Sequence, residues 1–206
     1  MNLHKITSPM GKSEKSEWND YWKSKSVKRR FIELIRKIYL SKIYTRHVLK
    51  YSSPGDSIIE TGCGSGTYLK YFKKKGRTCF GLDNSMESIK LSKKNCDNVV
   101  FGDMKDLPFR DNSFVVNFNQ GVMEHFSDAK FKEYLQELKR VSKNVVIIVP
   151  CKWSFWRVYD FIGDDPDKRF FSKKEIHSLM KSEFDTIKVR YLWESGFLSL
   201  VAIGIT

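Results

Sequence analysis

The chain has 206 residues, 41% of them hydrophobic and 14% aromatic, enough apolar surface to bury a sizeable core and too much for a disordered chain. Its formal net charge is +13, and the excess sits at one end: residues 1–53 hold 13 Lys and Arg against 4 Asp and Glu, the rest 24 against 20. No apolar run is long enough to cross a bilayer, the N-terminus lacks the apolar stretch of a signal peptide, and Cys63, Cys79, Cys96 and Cys151 form no C-x-x-C pair, so we expect reduced thiols in a cytoplasmic protein that spans no membrane.

In chain order, Trp18, Tyr21 and Trp22 come first, in sequence rich in Ser and Lys. From Val27 to Lys50 the apolar residues Phe31, Leu34, Ile35, Ile38, Ile43, Val48 and Leu49 recur at near-helical spacing with Lys and Arg between them. That pattern predicts a helix that docks an apolar stripe and leaves its cations in water. Alternating strands and helices follow. Strands are expected at Ser57–Glu60, Thr78–Leu82, Asn98–Phe101, Phe114–Phe118 and Asn144–Val149, and helices at Tyr68–Lys75, Ser85–Asn95 and Ala129–Ser142. Such alternation implies a parallel sheet with right-handed crossovers. After Pro150 the pattern changes to a helix at Ser172–Lys181 and two strand-like runs, Asp185–Trp193 and Phe197–Ile205. Only Glu194-Ser195-Gly196 separates those runs, so they must pair antiparallel.

The chemistry concentrates where the first strand ends. Glu60-Thr61-Gly62-Cys63-Gly64-Ser65-Gly66 joins that strand to a helix through a turn whose glycines permit close approach of backbone to a ligand. A dinucleotide fingerprint would place its third glycine where Thr67 stands. The G-x-G-x-G register behind an acid suits a ligand with an amino-acid end better than a diphosphate. Asp83 closes the second strand about 20 residues on, where a ribose-binding acid is expected, and a further acid follows the third strand at Gly102-Asp103-Met104.

Together with Asp106-Leu107-Pro108-Phe109 and Gln120-Gly121-Val122-Met123-Glu124-His125-Phe126, these segments make residues 55–206 resemble a class I S-adenosylmethionine-dependent methyltransferase of the branch called methyltransferase type 11. The resemblance implies a seven-stranded, Rossmann-like α/β sheet, mostly parallel with an antiparallel C-terminal hairpin. It covers a domain, residues 54–206, that would bind S-adenosyl-L-methionine, and leaves residues 1–53, which composition marks as a basic helical extension or lid, unmatched. It further implies that Asp83, with Asn84 beside it, takes the ribose hydroxyls. Asp103 and Met104 would meet the adenine, while Glu60, Gly62, Cys63, Gly64 and Gly66 surround the amino-acid end. Asn119 and Gln120 would face the methionine portion.

His125 is the histidine closest to this edge and could take a proton from an acceptor; it could equally pack at the start of the next helix. Trp153, Trp156 and Tyr159, after the fifth strand, could wall an acceptor pocket or simply cover the sheet. Trp18, Tyr21 and Trp22 are assigned to a lid over residues 14–26. The histidines and cysteines show no metal-ligand spacing, so no metal is expected. The expected acceptor is a small molecule. RNA stands as an alternative partner through the basic, aromatic-rich N-terminus, and a binding module that performs no transfer as another.

Overall fold

The computed structural model describes residues 12–23, 34, 39–152, 168–195 and 199–206. Among these residues seven strands make one sheet of order β3-β2-β1-β4-β5-β7-β6. The parallel part is β1 (Ser57–Thr61), β2 (Thr78–Asp83), β3 (Val99–Phe101), β4 (Phe114–Gln120) and β5 (Ser142–Pro150). β7 (Ser199–Ile205) lies antiparallel between β5 and β6 (Thr186–Tyr191). The helices are α1 (Lys12–Lys23), α2 (Ser41–Leu49), α3 (Thr67–Lys74), α4 (Met86–Ser92), α5 (Asp128–Val141) and α6 (Lys173–Met180). The chain starts in the middle of the sheet at β1, works outward to β3, and returns to place β4 on the other side of β1. That reversal opens a crevice at the carboxyl ends of β1 and β4, where open α/β sheets bind ligands.

β5 shows why the sheet needs helices on both faces. Val145, Val146, Ile147, Ile148 and Val149 are all at most 1% exposed, so neither set of alternating side chains meets water. Val145, Ile147 and Val149 pack with Phe131, Leu135 and Leu138 of α5 and Ile176 of α6. Val146 and Ile148 pack with Ile43 and Val48 of α2 and Leu69 and Phe72 of α3. Each such side chain contributes about 1.5–3 kcal/mol on burial. The apolar stripe expected in the basic N-terminal stretch therefore docks as predicted over residues 41–49, with Lys42 outside; most of residues 24–38 lie outside the described residues.

Differences from the expected boundaries trace to short polar side chains. Ser85 caps α4 instead of entering it, its hydroxyl accepting the Ser88 N–H at 3.3 Å. The strand expected to run through Trp193 stops at Tyr191. The Ser195 N–H and hydroxyl both donate to the Leu192 carbonyl, winding Trp193–Ser195 into a 3-10 turn. The four cysteines are buried and unbonded to one another. No helix among the described residues is long and apolar enough to cross a membrane.

One part of the fold positions the crevice from a distance. The segment between β3 and β4 is held by Arg140 of α5, which donates to the Leu107 and Phe109 carbonyls at 2.9 Å and to Asp111 at 2.8 Å. Arg140 also forks onto Glu137, whose Oε2 accepts the Leu107 N–H at 2.9 Å. A loop with no ladder of its own is thereby fastened to a rigid helix.

His47 of α2 is 6% exposed, and burial first, then the positive charges of Arg46 and Lys50, lower its pKa from 6.5 to about 4. Between those values the unfolded chain binds a proton that the folded chain refuses. Stability therefore falls on acidification from pH 6.5 toward about 4 and is fully present above 6.5. We expect His47→Gln to lose less melting temperature than the natural chain over that window. Identical pH profiles for the two would remove His47 from the account.

Candidate active site

The carboxyl end of β1 passes into a turn that only glycine can make at two places. Gly62 has φ +73°, and a Cβ there would stand 2.3 Å from Cγ2 of Val122. Gly64 has φ +51°, and its Cβ would stand 2.5 Å from the indole ring of Trp22. The turn is pinned over the end of β2, since the Gly62 and Cys63 N–H groups both donate to the Leu82 carbonyl, at 2.7 and 3.1 Å.

Asp83, the last residue of β2, is 8% exposed and joins three elements. Its Oδ2 accepts the Gly64 N–H and its Oδ1 the Ser85 N–H, each at 2.9 Å. Burial pushes its carboxyl pKa up, and those two N–H groups pull it back. Ser85, in turn, donates its hydroxyl to Asn19 Oδ1 at 2.7 Å, so α1 is tied to the same corner and packs on α4.

Above this corner lies a cleft with about 580 Å³ of space between its walls, its open mouth included. Asp83, Asn84, Gly62 and Leu82 form one wall; Gly102, Asp103 and Met104 form the second; Gly121, Val122, His125 and Phe126, after β4, form the third. Trp18 and Trp22 of α1 close it from above. They stand four residues apart and so share a helix face. Trp18 meets His125 edge to face, ring centres 5.1 Å apart, and Tyr21 braces both tryptophans at 5.6 and 5.3 Å.

The floor is polar but dry. Asn119 is fully buried and donates to the Thr61 carbonyl at 2.9 Å, to its hydroxyl at 3.2 Å, and to the Met104 sulfur at 3.5 Å. The Thr61 hydroxyl donates to Asn117 at 3.0 Å. Gln120 accepts the Tyr68 hydroxyl at 3.1 Å. Asn119, expected to face a ligand, is fully buried behind the cleft wall, whereas Gln120, expected to do the same, is half-buried with its side-chain oxygen on Tyr68.

The structure brings Trp18, Trp22, Gly62, Asp83, Asn84, Asp103, Met104 and His125 onto one cleft. Glu60, 2% exposed, Cys63 and Gly66 lie in or under the turn, and Gly64 is covered by Trp22. Burial, then the charges of Asp83 and Glu60, push the Cys63 thiol well above its usual range, so the region under the turn disfavours added negative charge. Trp153, Trp156 and Tyr159 lie outside the described residues. Among the described residues no group of three or more His, Cys, Asp or Glu could hold a metal ion. Sequence reasoning missed Phe126 and the Asn19–Ser85 link. Phe126 ends the Gln120–Phe126 run that carried the resemblance, and Asn19 stands beside Trp18 on the helix assigned to the lid, so each had a signal beside it.

Residues 59–149 match the family described as methyltransferase domain. An uncharacterised methyltransferase of Synechocystis is 22% identical over 160 residues, 72% of this chain and 76% of its own length. The Bos taurus protein named "Probable tRNA methyltransferase 9B" is 31% identical over 97 residues, 47% of this chain but 21% of that one. The crystal structure of magnesium protoporphyrin IX methyltransferase from Synechocystis, with S-adenosylmethionine bound, aligns with TM-score 0.71 at 11% identity over 98% of this chain and 99% of its own. That last likeness is one of fold.

The turn geometry has a measurable consequence. Gly55 also has positive φ, +93°, but nothing lies within 4 Å of its Cβ position. Gly55→Ala should cost about 1–2 kcal/mol of backbone strain. Gly62→Ala should cost about 1–3 kcal/mol more, because Val122 must also move. Equal losses in denaturant unfolding would show that Val122 yields freely.

Proposed function

The chain being a class I S-adenosylmethionine-dependent methyltransferase with its methyltransferase domain at residues 59–149, we propose that the cleft holds this cofactor and that its methyl group passes directly to a small-molecule acceptor. The observation that carries the cofactor half is electrostatic. In a chain of net charge +13, two acids, Glu60 and Asp83, are nine-tenths buried beside the glycine turn, where burial first and then their charges push the neighbouring Cys63 thiol up. A ligand with a sulfonium and an ammonium suits that field; a diphosphate does not.

Each wall then has a role. The Asp83 carboxylate, which already accepts the Gly64 and Ser85 N–H groups, takes the ribose hydroxyls on the lone pairs that remain to it. Met104 supplies an apolar face to the adenine, and Asp103, whose Oδ1 accepts the Lys105 N–H at 3.1 Å, keeps a second oxygen for its amino group. Bare backbone at Gly62 and Gly64 lets the amino-acid end approach. Bound there, the cofactor supplies a carbon already activated for displacement, so the protein must align the acceptor and exclude water rather than generate a nucleophile. Trp18 and Trp22 exclude the water. His125, edge-on to Trp18, stands on the acceptor side of the cleft, where its ring could take the proton that an amine or hydroxyl acceptor releases. The lid across the cleft favours an acceptor small enough to be enclosed.

S-adenosylmethionine and S-adenosylhomocysteine should each raise the melting temperature, and NAD should not. Asp83→Asn keeps the shape but withdraws an acceptor, which should weaken cofactor binding by roughly ten- to a hundredfold, on the order of 1.5–3 kcal/mol. An unchanged dissociation constant in the variant would displace the cofactor from this cleft.

The lid carries a separate expectation. Trp18→Ala and Trp22→Ala should speed cofactor dissociation about tenfold or more and lower turnover, while Trp22→Phe stays near the natural chain. Stopped-flow release of labelled cofactor at an unaltered rate in both alanine variants would exclude a lid.

A further inference from the structure

The antiparallel end of the sheet carries a surface that methyl transfer does not use. β6 is the outer strand, and its side chains alternate in role. Ile187, Val189 and Tyr191 pack on the core shared with α6, which turns Lys188 and Arg190 to the opposite, exposed face beside α2. Cations gather there. Arg46, Lys50 and Arg190 all bear on the buried ring of His47 and disfavour its protonation. The Lys188 ammonium lies 3.5 Å from the Tyr51 hydroxyl and 5.8 Å from its ring centre. The acid that faces His47 from the neighbouring turn is Glu194, and Arg46 already holds it at 2.6 Å. Beside Glu194 the indole of Trp193 is 59% exposed at the strand's edge, one side of it meeting the Tyr191 ring with centres 5.7 Å apart, and Tyr39, whose hydroxyl donates to the Glu194 carbonyl at 2.7 Å, is 55% exposed.

Cations on an edge strand can serve only to prevent edge-to-edge pairing. That role leaves the exposed rings unexplained, since a large aromatic left in water forgoes its burial energy. Half-exposed rings beside exposed cations match one chemistry closely: a single-stranded nucleic acid, whose phosphates pair with the cations and whose unstacked bases lie on the rings' free faces. A duplex keeps its bases stacked away from such rings. We propose that α2, the exposed face of β6 and the Trp193 turn form a docking surface for single-stranded nucleic acid. Its upper end reaches the catalytic edge of the sheet, because Tyr191 is in register with Leu200 and Leu200 with Val149, near the carboxyl end of β5. The surface lies outside the cofactor cleft, so its test is independent of the acceptor.

The test is fluorescence anisotropy of the full chain with labelled twelve-nucleotide oligo-U and oligo-dT, a duplex of the same length, and vesicles of neutral and anionic phospholipid. Single strands should bind more tightly than the duplex and vesicles, with log affinity falling linearly with log salt. The double variant Lys188→Glu/Arg190→Glu should bind at least tenfold more weakly with a shallower salt slope. Trp193→Ala should lose roughly tenfold with the slope unchanged. Both variants should keep the melting-temperature response to S-adenosylmethionine, which separates loss of docking from loss of fold or of the methyl-transfer site. Preference for uridine over thymidine strands, or the reverse, identifies the nucleic acid. Failure to bind single strands at low salt, binding indifferent to both variants, or tighter binding of duplex or anionic vesicles would overturn the proposal.

Discussion

The cleft depends on the two backbone hydrogen bonds that Asp83 accepts. One comes from the glycine turn after β1 and one from the start of α4, so a single carboxylate sets where two connections leave the sheet. A charge so deeply buried is tolerable only because N–H groups point at both its oxygens. The third connection needs another device. The segment after β3 forms no strand of its own and is held by the Arg140 fork from α5, which packs on the same face of the sheet as Met104 and Leu107. Asp103 and Met104 thus depend on a guanidinium remote from them in sequence.

Charge is separated across the molecule. Acids are buried under the glycine turn, whereas cations collect on helix surfaces and on the outer face of β6. The buried acids act over short distances in a poorly screened interior; the surface cations act through solvent and are weakened by salt. A cationic cofactor in the cleft and the polyanion proposed for the outer face would therefore meet different fields.

The α1 wall differs from the others in what it rests on. Asp83, Gly62 and Met104 belong to the sheet and its pinned loops, whereas α1 reaches the cleft from outside the sheet, through ring contacts of Trp18 and Trp22, packing on α4 and the hydrogen bond from Ser85 to Asn19.

Much of this was legible in the sequence. The strand–turn–helix run, the glycine register and the acid at Asp83 are local patterns, and local backbone constraint dictates them: positive φ at Gly62 and Gly64 tolerates no other residue well. The antiparallel hairpin followed from a connection too short for a crossover. What lay beyond the sequence are contacts between residues far apart in the chain. Asn119 looked like a ligand-facing residue until β1 lay beside β4 and Thr61 offered it partners. Trp22 became a wall of the cleft only when α1 reached Gly64, and Arg140 an anchor only when α5 crossed the segment before β4. The sequence by itself determined which backbone could turn and which acids stood at strand ends; tertiary packing decided which side chains faced the cleft, because partners are chosen by proximity in space and not by spacing along the chain.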